Sequence, residues 1–100
     1  MNQNNVSFAL KPLFLSRRTF VNKGLSRSYE LDDILLALER HRNGDWAECA
    51  EDTQSLNQRN IERFKGLVFS SFSAGVPLPF YIVTDLETRS TWVRPLREFV

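Results

Sequence analysis

Apolar positions change their spacing along this chain, and each change of spacing marks a change of element. The first run, VSFALKPLFL over residues 6–15, is apolar but broken by Lys11-Pro12. Proline has no N–H to give to a sheet ladder, so the pattern predicts an edge strand or two short extended pieces. Arg18 to Val21 extends that run, and Asn22-Lys23-Gly24 reads as the turn that ends it. Residues 1–5, MNQNN, are polar and expected to fray.

A helical period then takes over. In YELDDILLALERHR (29–42), Leu31, Ile34, Leu35 and Leu38 fall at the three- and four-residue spacing of one helix face, with His41 or Arg42 next in the stripe. Ser28 is the expected N-cap. Glu30, Asp32 and Asp33 favour the positive end of the dipole, and Arg40, His41 and Arg42 the negative end. Asn43-Gly44 supplies a left-handed stop. Asp45 reads as the cap of a second short helical segment, with Trp46 folding back on the first. Asp52 to Arg63 carries a thinner stripe and predicts another helix, burying Leu56, Ile61 and Phe64.

After Gly66 the period shortens to two. LVFSSFS (67–73), PFYIVTD (79–85) and STWVRP (90–95) are β-branched and aromatic, and turn residues divide them. Strand alternation makes Leu67, Phe69, Phe80, Ile82 and Val93 the expected buried face. Helices first and strands after give an α+β class: a two-layer arrangement of helices on a small antiparallel β-meander, with an N-terminal edge strand. The whole of 1–100 is expected to be a single domain, with an extended basic segment at 6–24, helices over 29–64 and the meander over 66–95.

Composition sharpens this only in places. One hundred residues, 42% hydrophobic and 25% charged, suit one modest core. The net charge of +1 hides a partition: residues 1–29 hold five cations and no acid, while residues 30–62 hold nine acids against three arginines. The stretch SRRTFVNK (16–23) has the outline of a twin-arginine export signal. The next ten residues, GLSRSYELDD, lack the apolar core such a signal needs, so a cytoplasmic protein with no membrane span is expected. One cysteine and one histidine make no case for a disulfide or a zinc site, and no Gly-rich phosphate loop or paired-carboxylate motif occurs. No cofactor is expected.

Residues 38–46, LERHRNGDW, followed by Glu51-Asp52 and Asn57, then by Phe80-Tyr81-Ile82-Val83-Thr84-Asp85, Ser90-Thr91, Val93 and Pro95, resemble a family of short bacterial proteins. These are carried on plasmids and other mobile elements and have no established activity. The most specific part of the resemblance is RH-x-x-GDW followed by ED-x-x-x-x-N. It implies a bacterial host and a mobile-element setting, not a mechanism.

Two sets of residues are candidates for function. His41, Asp45, Cys49 and Asp52 lie close in sequence, and a Cys–His pair suggests nucleophilic chemistry. The structural reading outweighs it: His41 serves a helix end, Cys49 packs as a small hydrophobe, and Leu38, His41, Gly44, Asp45 and Trp46 form a corner that locks helix to sheet. The second set is Arg17, Arg18, Lys23 and Arg27, an uninterrupted run of one charge sign and the expected partner-binding surface. Arginine pairs with carboxylate and phosphate alike. The expectation is therefore a non-enzymatic binding protein that docks on a host protein complex, such as a CRISPR–Cas or restriction component, and modulates or inhibits it. The alternative is a nucleic-acid-binding accessory using the same basic segment.

Overall fold

The computed structural model describes residues 12–96, in the order β1 (Arg18–Val21), α1 (Lys23–Ser28), α2 (Leu31–Arg42), α3 (Glu51–Arg63), β2 (Leu67–Phe72), β3 (Phe80–Asp85) and β4 (Ser90–Pro95). The expectations for residues 1–11 lie outside the described residues. The class is α+β, but the sheet is mixed. Its order is β1-β4-β3-β2, with β2, β3 and β4 antiparallel as expected and β1 parallel to β4.

The turn expected at Asn22-Lys23-Gly24 is instead the start of α1. Asn22 Oδ1 accepts from Gly24 N at 2.8 Å, a side-chain cap that begins a helix rather than a reversal. The gain is Leu25, which is fully buried. Ser28 therefore ends α1 rather than capping α2, whose N-cap is Glu30 without a side-chain hydrogen bond. The dipole signals in α2 fall where the sequence puts them, and Gly44 takes a φ of +87° after its last turn. A Cβ at Gly44 would lie 2.9 Å from Leu13 Cδ1, so both the backbone and the space call for glycine.

The buried stripe of α2 is rotated from the expected one. Ile34, Ala37 and His41 face inward with Leu38 half-buried, while Leu31, Leu35 and Leu36 are exposed. Ala37 sits in the cluster with Phe72 and Phe80, where a small side chain admits two rings against the helix. Nor does Asp45 start a helix. Its Oδ1 accepts from Ala47 N at 3.2 Å, and Ala47 (φ 57°) makes a lone parallel bridge to Ser71.

Strand parity also differs from expectation in β2. Val68, Ser70 and Phe72 face the core, and Leu67 and Phe69 face away, whereas Phe80, Ile82 and Val93 are buried as expected. LVFSSF has apolar residues on both parities, so its own pattern does not choose. Pairing with β3, which sets Phe72 opposite Phe80 and Ser70 opposite Ile82, chooses for it.

Two apolar clusters result. Leu25, Ile34, Ala37, Phe72, Phe80, Ile82 and Val93 form one. Phe14, Trp46, Val68 and Leu86 form the other, with Cys49 and Ile61 against it. Leu56 and Phe64, expected inside, are 45% and 66% exposed, and the fully buried residue of α3 is Asn57. That helix is held along the β2 edge by amides rather than by an apolar stripe.

Candidate functional site

The group that looks most like chemistry is a buried serine–histidine pair. His41 has no solvent exposure; its Nδ1 lies 2.5 Å from Ser70 Oγ and its Nε2 lies 2.9 Å from Thr84 Oγ1. The line continues through Thr91 Oγ1 (2.7 Å) to Ser16 Oγ (2.7 Å), which donates to the Arg18 carbonyl at 3.0 Å. Only one direction lets every hydroxyl donate once along this line: Ser70 to Nδ1, Nε2–H to Thr84, Thr84 to Thr91, Thr91 to Ser16, Ser16 to Arg18 O. The imidazole is thus assigned as the neutral Nε2–H tautomer from its partners.

Burial, reinforced by the nearby Arg42 charge, pushes its pKa down to about 3. Such a ring is a poor base near neutrality. Ser70 is as buried as the ring, so no substrate reaches its Oγ. His41, expected to serve the helix end, instead gives both ring nitrogens to hydroxyls of the sheet as a neutral polar strut, with the Phe14 ring edge-on at 5.2 Å.

The other motif residues are accounted for by packing as well. Arg40 grips Asp45 through two hydrogen bonds, 2.7 and 3.2 Å, and lies 5.0 Å over the Phe72 ring. That grip holds the Asp45 carboxyl below its usual range. Trp46 is 6% exposed, and its carbonyl accepts from Ser71 N at 3.3 Å. Cys49 is half-buried, with Sγ 3.4 Å from the Phe69 carbonyl, and burial raises its pKa away from the reactive thiolate. Leu38 packs against the first cluster.

Asn57 has a role that no local pattern announces. Its Nδ2 donates to Phe69 O (2.7 Å) and its Oδ1 accepts from Phe69 N (2.9 Å), so one side chain stands in for a neighbouring strand. Asn60 Nδ2 covers Leu67 O at 2.9 Å, and Glu48 meets Ser71 O through its N–H (2.9 Å) and Ser73 N through Oε1 (2.8 Å). The β2 edge is thus sealed from the Leu67 carbonyl to the Ser73 N–H. Gly66, at φ +91°, leaves room for this: a Cβ there would lie 2.9 Å from Asn60 Nδ2.

Among the described residues, the middle of the sheet face turned away from the helices is half-buried at Phe69, Val83 and Trp92 and exposed at Phe20. None of the buried cluster residues comes from it. Register sets Phe69 opposite Val83, Val83 opposite Trp92, and Trp92 opposite Phe20, an apolar row across all four strands. Phe20 and Trp92 stack at 5.9 Å, and Phe20 is 47% exposed. The flanking rows are mostly polar: Ser71, Tyr81 and Arg94 on one side, and Asp85, Ser90 and Arg18 with the exposed Leu67 on the other. Beside the β2 end of the row, a groove of about 490 Å³ is lined by Cys49, Thr53, Phe69, Tyr81 and Leu96.

Of the four cations singled out in the sequence, Arg17 and Arg18 sit at the start of β1 and Lys23 and Arg27 on α1 past its end; all are exposed. A strand of this length separates the two groups by roughly 13 Å, so they are not one patch. Arg89 joins the first group, its carbonyl accepting from Arg17 N at 2.7 Å, and Arg94 joins the second. The aromatic pair lies between them. Among the described residues the ion pairs are Arg40–Asp45 and Arg42–Glu39, and neither uses a cation of this surface. Sequence reasoning missed Phe20, Trp92, Tyr81 and Arg94. The signal that could have found them is that these strands are apolar on both parities, as a face meant to meet a partner would be.

Among the described residues there is no cluster of potential metal ligands, and no helix is long and apolar enough to cross a membrane. The chain matches no protein-family model, no curated protein and no solved structure.

Proposed function

We propose that this protein works without catalysis, by docking on a larger protein partner whose surface is acidic. The observation that carries the reading is the apolar row Phe69–Val83–Trp92–Phe20, on the sheet face that gives no residue to the buried clusters among the described residues, with cations at both ends of β1 that form no ion pair among those residues. Specific interfaces combine a desolvated aromatic centre with a polar rim, and arginine and tryptophan dominate their energetics. Three exposed leucines of α2 form a rival patch, but they share that helix with Asp32, Asp33 and Glu39 and would suit a different partner.

The mobile-element setting rests on the RH-x-x-GDW and ED-x-x-x-x-N resemblance. Within it, the partner is a component of a bacterial host complex and the effect is modulation or inhibition, of the anti-CRISPR or anti-restriction kind. Within the motif His41, Trp46 and Asn57 are buried, and the surface outside it chooses the partner in this reading.

A photo-crosslinking side chain at position 20 tests this in host lysate treated with nuclease. The expected result is one crosslinked protein, lost when Trp92→Ala is added, and no such product from position 36 on α2. Crosslinking from position 36 alone moves the docking site to the helix face. A product that forms only in a parallel lysate left without nuclease replaces the protein partner with nucleic acid.

A further inference from the structure

The two edges of the sheet are treated in opposite ways. Along β2, side chains of Asn57, Asn60 and Glu48 and the backbone of Trp46 and Glu48 meet the outward N–H and C=O groups. Along β1 all four residues are exposed. Asn22 N donates to Val93 O at 2.9 Å and Arg18 N to Arg89 O at 3.4 Å, so the even-numbered residues of β1 turn their backbone toward β4. Alternation then directs the N–H and C=O of Thr19 and Val21 outward, and none of the described residues pairs with them.

We infer that this edge receives an extended acidic segment of the partner protein as an added strand. The inference rests on the docking reading above and names how the partner is held: backbone to backbone at Thr19 and Val21, with carboxylates reaching Arg17, Arg18 and Arg89 at one end and Lys23 and Arg94 at the other. The charge chooses among occupants. A second copy pairing β1 to β1 brings two clusters of cations together, the usual device against edge-to-edge association. A phosphate backbone offers acceptors alone and leaves the Thr19 and Val21 carbonyls without donors. An acidic peptide strand satisfies both kinds of backbone group and the cations at once. The exposed Phe20 ring, stacked on the half-buried Trp92 next to the same edge, adds apolar contact for alternate side chains of the incoming strand.

The test uses the full chain and a synthetic peptide alternating Glu and Val over about seven residues, a typical strand length, capped at both ends. Its controls are the same peptide with Lys for Glu, a version N-methylated at alternate residues, and oligo(dT). Binding is followed by chemical shifts and by amide hydrogen exchange. The acidic peptide should slow exchange of Thr19 and Val21 amides by about tenfold or more, and the N-methylated version should bind at least about tenfold weaker. Val21→Pro, which removes an outward N–H and no ladder bond to β4, should weaken binding similarly. Shifts confined to Phe69, Val83 and Trp92, without slowed exchange, overturn the edge inference and leave the docking reading standing. Slow exchange of Thr19 and Val21 before any peptide is added overturns it too, since a segment of this chain then fills the edge. Equal binding of the Lys peptide, or no binding of any peptide, also overturns it. Oligo(dT) binding without peptide binding removes both readings.

Discussion

His41 shows how one residue sets the terms for a core. It runs through the interior where Ser70, Thr84 and Thr91 interrupt the apolar rows; its Nδ1 satisfies a Ser70 hydroxyl that would otherwise be buried unpaired, and its Nε2 joins the Thr84–Thr91 pair. With its folded pKa near 3, below the ordinary 6.5, the unfolded chain binds the extra proton between those values. Stability from this group is therefore complete above about pH 6.5 and is lost as the pH falls toward 3, by on the order of 5 kcal/mol in all. Denaturant melts at about pH 7 and pH 4.5 should differ by about 2–3 kcal/mol in the natural chain. In His41→Gln that dependence should largely vanish; an unchanged pH slope would show that the acid sensitivity lies elsewhere. Trp46 makes a simpler case. Truncation to alanine empties a site that is 6% exposed and should cost about 3–5 kcal/mol, measured by the shift in urea midpoint.

At the scale of elements, α3 is informative because it packs in an unexpected way. A helix with one fully buried residue would hardly dock by hydrophobic burial alone, and here that residue is an asparagine. Its amide makes the pair of backbone contacts a strand would make, which stops β2 from recruiting another chain. Asn57→Ala should leave the part-buried N–H of Phe69 unpaired and its C=O with the weak Cys49 thiol alone, at a cost of about 1–3 kcal/mol. Faster exchange of the Phe69 amide and a concentration-dependent tendency to associate should accompany the loss. Asn57→Asp should behave almost as badly, because a carboxylate accepts from Phe69 N but has nothing to donate to Phe69 O. A stable, monomeric Asn57→Ala variant with a protected Phe69 amide would falsify the sealing role.

Over the whole molecule, charge and shape divide the labour. Acids gather on α2 and α3, cations around β1, and the apolar row crosses the sheet toward the basic side. Reversing Arg17 and Arg18 to Glu should abolish partner binding while moving stability by no more than about 0.5 kcal/mol, since both side chains are exposed and in no ion pair among the described residues. The association rate of the natural chain should fall with added salt, as expected when opposite charges steer encounter. Retention of the same partner at the same yield by the double reversal would move recognition off the basic edge.

The sequence by itself determined the features that depend on near neighbours. The span of α2, the charges at its ends, its glycine stop, and the three C-terminal strands with their turns all come from periodicity and capping chemistry within a few residues. The basic and acidic partition is likewise plain in the chain, because exposed charges stay where the sequence puts them. Tertiary structure alone decided which side of each element faces in. LVFSSF is apolar on both parities, so β3 chose Val68 and Phe72 over Leu67 and Phe69. In α2 the helix turned to bring Ala37 and His41 against the sheet and left Leu31, Leu35 and Leu36 outside. The parallel pairing of β1 with β4 joins residues far apart in the chain, and no local signal encodes that distance. The candidate site is split in the same way. Arg17, Arg18, Lys23 and Arg27 were legible as charge, but Phe20, Trp92, Tyr81 and Arg94 joined them only when four strands came into register, since a face exists only after its strands are ordered.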